Sequence, residues 1–382
     1  MVIVHDRVSD LLRKGEVAPR YYNPGNLFSA VHLVLTNDDA PNPLQLQTMV
    51  GDASLHVHNL PTDPWLFLRT LGWRPVLLRP WAEPIVALAG RIRPRLIRCH
   101  GAYLNGFVGA VVKERHGVPL ALSLHINPDD GLRRRPEGIM DWVASWALPG
   151  VERIAIEAAD RVLPVYSPIL PYLQKFSQDR VQLAYNVVGV TGVRVKSNYE
   201  VRDRFRIICV GRQDRHKNPE PLIRAVATIP ECHLTLVGDG RYHDQLQRLS
   251  RSLKVNDRVD FKPSVANSAL CQMLADFDLF VEVSPGWEFS KAVIEALLAG
   301  LPLVASRRKG VEITEFDSAY CLLVEGHESG FRQGILKMMG DPGFRESCGR
   351  TAAEVAARRW DPAVTESVFV DIYRDLMLPG TL

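Results

Sequence analysis

The second half of the chain alternates short apolar runs with longer helical patterns, and this alternation restricts the fold more than any other feature. The runs predicted as buried strands are RIICVG (206–211), HLTLVG (233–238), RVDFK (258–262), DLFVEVS (278–284) and PLVAS (302–306). Helical segments such as PEPLIRAVATI (219–229) separate them. Strands joined through helices run parallel, because the chain must return to the same end of the sheet. We therefore predict a parallel sheet with helices on both faces.

The first half shows the same alternation less regularly. Its predicted strands are AVHLVLTND (30–38), PRLIRCH (94–100), PLALSLHI (119–126) and RVLPVYS (161–167). A length of 382 residues favours two domains over one. The segment from 186 to 203 has no clear period and precedes a fresh strand. We predict an α/β protein with two Rossmann-like domains facing across a cleft, at 1–187 and 204–361, joined by a linker at 188–203.

Six cysteines are widely spaced, without a CxxC pair, and most lie in or beside apolar runs. This pattern indicates reduced, buried thiols and argues against a disulfide framework or a zinc site. The first residues carry charges at positions 6, 7, 10, 13 and 14, which predicts that they are not a signal peptide. No stretch is long and apolar enough to span a bilayer. A cytoplasmic location is the resulting expectation.

The formal net charge of +3 arises in the first half of the chain, for example in RIRPRLIR (91–98) and GLRRRP (131–136). A weak basic excess is most often a solvated face. The alternative is attraction to an anionic partner, such as a phosphate-bearing acceptor or an acidic membrane surface. Aromatic and basic residues do not interleave, and no recognition motif is present, so we expect no nucleic-acid binding.

Polar groups that could bind an anion follow several predicted strands. In doubly wound sheets, ligands bind beyond the carboxyl ends of the strands. The start of a helix offers free N–H groups and partial positive charge, which suits a phosphate. Glutamates at 288 and 295 could accept hydrogen bonds from sugar and ribose hydroxyls. The groups concerned are Arg212, Lys217, His125, Glu288, Glu295 and the helix start at Phe289, Ser290 and Lys291.

Each of these residues also has a simpler explanation. Taken singly, Arg212 and Lys217 are most simply surface charges. Glu295 taken singly is most simply a solvated residue of a helix. Ser290 is an ordinary N-cap by type, and a histidine at a strand end is as often structural as catalytic. Their joint occurrence at successive strand ends favours a binding site over these separate explanations.

The second half resembles the family 4 retaining glycosyltransferases of the GT-B fold, also called glycosyltransferase group 1. The stretches that carry this resemblance are VGRQDRHKNPEPLIRA (210–225), LTLVGDG (234–240), RVDFKPSV (258–265) and WEFSKAVIEALLAGLPLVAS (287–306). YNVVG (185–189) is similar to the family's crossing point between domains. The match in the first half is looser, in RCHGAYLNG (98–106), GVPLALSLHIN (117–127) and AADRVLPVYSP (158–168).

The resemblance implies a role for each matched residue. Arg212 and Lys217 match the pair on the donor diphosphate, and Glu295 matches the glutamate on the nucleotide ribose. Phe289, Ser290 and Lys291 match the loop whose backbone meets the phosphates. His125 matches the histidine near the donor sugar. The final segment, 362–382, is similar to the helix that crosses back onto the N-terminal domain.

Two departures from the family pattern concern the donor sugar and the acceptor side. Seven residues separate the family's two glutamates, whereas six separate Glu288 and Glu295, so that Trp287 takes the register position of the first. Glu288 stays a catalytic candidate if the loop is one residue shorter. The family's N-terminal Gly-Gly loop appears only as Lys14-Gly15-Glu16, which makes Gly15 and Glu16 the acceptor-side candidates.

The predicted activity is transfer of a sugar, with retention of configuration, from a nucleotide-diphosphate-sugar to an acceptor hydroxyl. UDP- and GDP-sugars are the expected donors, and a glycan or lipid-linked molecule is the expected acceptor, as in polysaccharide, lipopolysaccharide or glycolipid assembly. The predicted enzyme is of the hexosyltransferase type, without a cofactor. Arg212, Lys217 and the helix start would clamp the diphosphate, so no metal is expected. Two alternatives stay open: a sugar-nucleotide epimerase or hydrolase on the same fold, and a nonenzymatic subunit that binds a nucleotide sugar.

Overall fold

The computed structural model describes residues 1–63, 65–66, 74–128, 139–189, 192–214 and 217–378, without the side chains of 139–144 and 147. The basic run GLRRRP (131–136) lies outside the described residues. The chain forms two compact units. The first comprises Met1–Arg13, Val17–Val187 and Thr365–Leu382, and the second comprises Lys14–Glu16 and Val188–Val364.

The first unit is built on a six-stranded sheet in which every pair is parallel, in the order β3-β2-β1-β4-β5-β6. Its strands are β1 (Val2–Val4), β2 (Ala30–Leu35), β3 (Ser54–Asn59), β4 (Ile97–His100), β5 (Leu120–Leu124) and β6 (Arg161–Pro164). Its α-helices are α1 (Val8–Lys14), α2 (Pro43–Val50), α3 (Arg79–Ile92), α4 (Leu104–His116), α5 (Ile139–Ala158) and α6 (Leu170–Leu173). Strands β1, β4 and β5 are entirely buried, as expected for the centre of a parallel sheet covered on both faces.

The second unit repeats this design, with a parallel sheet in the order β12-β11-β10-β7-β8-β9. Its strands are β7 (Phe205–Val210), β8 (Cys232–Val237), β9 (Val259–Lys262), β10 (Leu279–Glu282), β11 (Leu303–Ser306) and β12 (Cys321–Val324). Its α-helices are α7 (Glu220–Ala227), α8 (His243–Ser252), α9 (Asn267–Met273), α10 (Lys291–Leu298), α11 (Glu328–Gly340) and α12 (Pro342–Arg359).

Both sheets confirm the predicted pair of α/β domains. In each, the strand order reverses direction once, between β1 and β4 in the first unit and between β7 and β10 in the second. Loops leave to opposite faces at such a point and open a crevice, which is where doubly wound sheets bind ligands. The nine predicted strands all form, while β1, β3 and β12 were not predicted.

The last helix, α13 (Pro362–Met377), packs on the first unit. Phe369 and Tyr373 are buried in a core that includes Leu96 and Leu163. Arg20 binds Glu366 of the helix through two hydrogen bonds of 2.6 and 2.7 Å. An amphipathic helix needs such a partner, because its apolar face is unstable in water.

Part of the basic run 91–98 lies inside the molecule instead of on its surface. The guanidinium of Arg98 is buried, with its carbon 4.5 Å from the centre of the Phe369 ring, and it donates a hydrogen bond of 2.9 Å to the carbonyl of Tyr21. Arg98 therefore cannot attract an anionic partner from solution. Arg91, Arg93 and Arg95 are exposed.

All six cysteines are buried, as predicted, and none is joined to another in a disulfide. Burial raises the pKa of the Cys271 thiol to about 12. Within the part of the chain that the structure describes, no helix is long and apolar enough to cross a membrane.

Three histidines stack at the outer edge of the first sheet. His32 of β2 stacks on His56 and His58 of β3, with ring centres 4.6 and 5.3 Å apart, and its Nδ1 lies 3.0 Å from Nε2 of His58. Burial and the two neighbouring rings lower the pKa of His32 to about 4. The folded protein therefore resists protonation at this cluster.

We expect this cluster to make the protein sensitive to acid. The unfolded chain binds a proton at His32 below pH 6.5, whereas the folded chain does so only near pH 4, so stability falls as the pH drops through this range. His32→Gln should flatten the fall of the melting temperature between about pH 7 and about pH 4.5. The matched control is His5→Gln, at an exposed histidine beyond β1. If the melting temperatures of wild type and His32→Gln fell equally with pH, the expectation would be contradicted.

Candidate functional site

The site is built at the switch point of the second sheet, where the loops after β7 and β10 begin. Gly211 follows β7, and Gly238 follows the neighbouring β8 with a φ of +132°. A Cβ on Gly238 would lie 2.1 Å from the carbonyl oxygen of Gly211, so only glycine allows these two loops to approach. The close packing fixes where the chain emerges toward Arg212 and Lys217.

Lys217 lies at the centre of a cluster of charged side chains. Its Nζ is 2.9 Å from Oε1 of Glu288, and Ser284 donates a hydrogen bond of 3.2 Å to the same carboxylate oxygen. Burial opposes the charge on Lys217, but the carboxylates of Glu282 and Glu288 outweigh it and raise its pKa. Burial likewise opposes ionisation of Glu288, yet Lys217 holds its pKa below the usual value. Both groups are therefore charged at neutral pH.

Glu282, at the end of β10, is a buried carboxylate that the sequence analysis did not single out. Nη2 of Arg308, which follows β11, lies 3.8 Å from its Oε1, and Ser290 Oγ donates a 3.5 Å hydrogen bond to its Oε2. Burial raises the pKa of Glu282. A glutamate inside a strand predicted to be buried requires a cation nearby, and this was the signal available in DLFVEVS.

The cluster of Glu282, Glu288, Lys217 and Arg308 is balanced in formal charge, with two carboxylates and two cations. Arg212 adds a further cation outside it, because its side chain is exposed and no ion pair joins it to another described residue. An anionic ligand at Lys217 would bind five residues after Arg212 in the same loop. It would compete with Glu288 for Lys217.

The start of α10 faces the same loops. Ser290 is its N-cap and accepts a hydrogen bond of 3.4 Å from the N–H of Val293, so the expected capping role is present. Phe289 is buried, with its ring centre 5.1 Å from that of Trp360 and 5.6 Å from that of Phe316. Its side chain is thus committed to packing, which leaves its backbone as the part that can meet a ligand.

Trp287 and Glu288 point to different partners. The indole Nε1 of Trp287 donates a hydrogen bond of 3.0 Å to the carbonyl of Lys309, in the loop after β11. Glu288 instead meets Lys217, as described above. Of the two residues, the glutamate is the one that lies with the cationic group.

Glu295 is buried one turn inside α10 and accepts a hydrogen bond of 2.6 Å from Nδ2 of Asn267. Burial raises its pKa to about 7. The predicted acceptor-side residues lie beside this pair, within the second unit. A Cβ on Gly15 would be 3.5 Å from the backbone nitrogen of Asn267, and Glu16 lies 3.7 Å from Nζ of Lys291.

His125 lies in the first unit, directly after β5. Its ring stacks on His100 at 5.2 Å, and its Nδ1 is 3.4 Å from Nδ2 of Asn186. Tyr166 donates a hydrogen bond of 3.0 Å to its backbone carbonyl. These contacts fix the ring in one orientation at the carboxyl edge of the sheet.

The buried Glu295 carboxyl should make stability depend on pH. Its pKa of about 7 exceeds the value of 4.5 for an unperturbed glutamate, so the folded state holds a proton that the unfolded chain releases. This contribution is complete below pH 4.5 and is lost as the pH rises through about 7. Glu295→Gln cannot ionise and should raise the melting temperature more at about pH 8 than at about pH 5.

The control for this measurement is Glu312→Gln, at an exposed glutamate of the same unit. The control should shift the melting temperature equally at both pH values. A Glu295→Gln protein that loses stability more at the higher pH would show that the carboxylate form is the one that the fold prefers.

Doubly wound parallel sheets with polar groups at their switch points define an α/β protein of two Rossmann-like units. Residues 195–355 match the family model described as glycosyl transferases group 1, which confirms the predicted resemblance. The second unit is therefore similar to group 1 glycosyltransferases over most of its length. Within the described residues, no group of three or more histidine, cysteine, aspartate or glutamate side chains is arranged to hold a metal ion.

Individual relatives agree with this family. A lipopolysaccharide core biosynthesis glycosyltransferase of Rhizobium meliloti is 31% identical over 179 residues, which are 47% of this chain and 50% of that protein. The match thus spans half the length of that relative. An alpha-D-kanosaminyltransferase of Streptomyces kanamyceticus is 24% identical over 332 residues, covering 79% of this chain and 84% of that protein.

Solved structures show the same fold. HepE of Anabaena, crystallised in complex with UDP, superposes with a TM-score of 0.70 at 18% identity, covering 98% of this chain and 99% of that one. Sucrose-phosphate synthase of Thermosynechococcus elongatus gives a TM-score of 0.72 at 18% identity, covering 98% of each chain. The fold is the predicted GT-B fold.

Proposed function

We propose that this protein is a glycosyltransferase that moves a hexose from a nucleotide-diphosphate-sugar to an acceptor hydroxyl, with retention of configuration and without a metal ion. The observation that carries the proposal is the cluster at the switch point of the second sheet. There, Lys217 meets Glu288 just before the start of α10, and Arg212 lies five residues before Lys217 in the same loop, so positive charge is available to an anion. Such groups stabilise the charge that develops on a departing diphosphate, which is an electrostatic form of catalysis.

In the proposed reaction, the bond between the anomeric carbon and the diphosphate oxygen breaks, and a bond to the acceptor oxygen forms on the same face of the sugar. The proton of the acceptor hydroxyl passes to the departing diphosphate. The diphosphate takes the place of Glu288 beside Lys217. The displaced carboxylate is then free to accept hydrogen bonds from sugar hydroxyls. Glu295, which is hydrogen-bonded to Asn267, binds the ribose hydroxyls in this proposal. The ring of His125 lies beside the donor sugar.

A UDP-sugar is the first donor to test, with GDP-sugars next. HepE has been crystallised both with UDP and with UDP-glucose, at 18% and 19% identity to this chain. Acceptors in glycan or lipid-linked assembly are supported by the name of the lipopolysaccharide core relative. We propose a cytoplasmic location for the enzyme, in contact with the membrane that carries such an acceptor.

The experiment is a thermal-shift screen of the full chain against UDP-, GDP-, ADP- and TDP-sugars. A ligand that binds the folded state alone stabilises it by about 2.7 kcal/mol at a hundredfold excess over its dissociation constant. The donor that raises the melting temperature is then incubated with candidate acceptors, with and without a chelator. A glycoside and nucleoside diphosphate formed equally in both conditions are expected. Activity lost in chelator would contradict the metal-free mechanism.

The position of Trp287 favours one second candidate, a subunit that binds a nucleotide sugar without turnover. Its indole takes the register position of the family's first glutamate and is hydrogen-bonded to Lys309. Product analysis separates the possibilities. A glycoside indicates a transferase, an altered sugar nucleotide indicates an epimerase, and a thermal shift without any product indicates a binding subunit.

A further inference from the structure

A buried glutamine follows Arg212 directly in the loop after β7. The side chain of Gln213 is 2% exposed, whereas that of Arg212 is exposed. A buried amide group is unfavourable unless its polar atoms are hydrogen-bonded. The hydrogen-bond partners of Gln213 therefore identify what holds this part of the loop in place.

The backbone around Gln213 continues the pairing of β7 with β8 beyond the ends of both strands. The N–H of Gly211 donates to the carbonyl of Val237 at 3.0 Å, and the N–H of Gln213 donates to the carbonyl of Asp239 at 2.9 Å. Alternate residues thus bond to the neighbouring segment, as in a parallel strand, so successive side chains point to opposite faces. This geometry turns Gln213 inward and Arg212 outward.

Further hydrogen bonds connect the side chain of Gln213 to the start of helix α8. Nδ1 of His243 lies 2.8 Å from Oε1 of Gln213, and because an amide oxygen only accepts, this nitrogen is the donor. Nε2 of His243 accepts a hydrogen bond of 3.0 Å from Nε2 of Gln247. Nε2 of Gln213 donates to the carbonyl of Gly238 at 2.8 Å. We call Gln213, His243 and Gln247 the Gln–His–Gln chain.

The start of α8 contacts Gln213 through its backbone as well. The N–H of Tyr242 donates to the carbonyl of Gln213 at 2.9 Å. The ring of His243 also packs edge-on against Phe261 of β9, with ring centres 5.6 Å apart. Gln213 is therefore bonded through both its side chain and its backbone, and the position of α8 determines where the adjacent Arg212 leaves the sheet.

We propose that the Gln–His–Gln chain positions Arg212 for the departing diphosphate. This inference rests on the proposed function, in which Arg212 meets the negative charge that develops during the reaction. An exposed arginine has many rotamers, and its charge is most effective when the backbone that carries it is fixed before the reaction. Gln213 and His243 are thus positioning residues, which act through Arg212 and not on the reacting atoms.

The test is a double-mutant cycle on the full chain, with turnover measured at saturating donor for each UDP-, GDP-, ADP- and TDP-sugar of the thermal-shift screen. His243→Leu removes the donor to Gln213, and we expect turnover to fall about tenfold. His243→Asn should keep turnover within about twofold of wild type, since its amide can still donate to Gln213. In the Arg212→Ala background, His243→Leu should cause no further loss, because the residue through which it acts is absent.

The matched control is Gln245→Leu, at an exposed glutamine of α8, and it should be as active as wild type. The melting temperature of every variant is measured alongside turnover. If His243→Leu does not fold, Gln247→Leu takes its place in the cycle, because it removes only the last hydrogen bond of the Gln–His–Gln chain.

Three results would overturn this inference alone. One is equal turnover of wild type and the variant that interrupts the chain. Another is a loss that is as large in the Arg212→Ala background as in wild type, which would show that the chain supports the fold and does not act through Arg212. The third is a His243→Asn protein as slow as His243→Leu, which would exclude the hydrogen bond to Gln213 as the cause.

Failure of the proposed function would look different. Equal turnover of Arg212→Ala and wild type would remove Arg212 from the diphosphate clamp, whatever the turnover of His243→Leu. Absence of turnover with every sugar nucleotide of the screen would overturn the proposed transfer reaction, and this inference with it.

Discussion

Arg212→Ala should lower turnover by about a hundredfold or more while leaving the melting temperature unchanged, if the proposed diphosphate clamp is correct. The side chain is exposed and has no ion pair within the described part of the chain, so its removal breaks no ion pair of the folded state. Its charge matters when negative charge develops on the departing diphosphate. A loss confined to turnover would thus report on the transition state.

The matched control is Arg248→Ala, which removes an exposed arginine from helix α8 of the same unit. It alters the net charge of the unit equally, so it measures any long-range electrostatic effect. Steady-state turnover of both variants at saturating donor, together with their melting temperatures, decides the matter. Equal activity of Arg212→Ala and Arg248→Ala would remove Arg212 from the clamp.

Glu288→Gln should cut turnover by about a hundredfold, yet bind UDP no less tightly than wild type. In the structure, the Glu288 carboxylate forms an ion pair with Nζ of Lys217 at a distance of 2.9 Å. The proposed diphosphate would bind the same Nζ group. Glutamine removes this competing negative charge, so the diphosphate gains access to Lys217. The carboxylate proposed to act on the sugar hydroxyls is lost at the same time, and the chemical step suffers.

Trp287→Ala is the comparison that decides the register of the loop. Its indole is hydrogen-bonded to Lys309, away from Lys217, and we expect a smaller loss of turnover than in Glu288→Gln. The measurements are turnover and the dissociation constant of UDP by calorimetry for both variants. Nearly normal turnover in Glu288→Gln combined with a large loss in Trp287→Ala would favour the strict family register.

The fold was predictable because hydrophobic periodicity and turn residues act locally. Strands such as RIICVG and DLFVEVS are continuous apolar runs, which a buried parallel strand requires. The unpredicted strand β3 reads SLHVHN, where polar histidines alternate with apolar residues at a half-exposed sheet edge. Strand β1 spans three residues, too few for a periodic signal.

The types of residue at the candidate site were chosen from sequence because chemistry restricts what can hold the proposed diphosphate. The sequence alone pointed to Arg212, Lys217 and the capped helix start at Ser290. It did not reveal that Glu288 forms an ion pair with Lys217. It also did not reveal that Glu282 and Arg308 complete a buried cluster with equal numbers of carboxylates and cations. Those contacts join the ends of β7, β10 and β11, which are far apart along the chain.

The sequence by itself therefore determined two doubly wound domains and the kinds of group gathered at their strand ends. The tertiary structure decided which charges neutralise one another and which remain exposed. It buried Arg98 of the basic run 91–98 and left Arg74 at the surface. The physical reason is that secondary structure follows from neighbours in sequence, whereas burial and ion pairing depend on which residues the folded chain brings together.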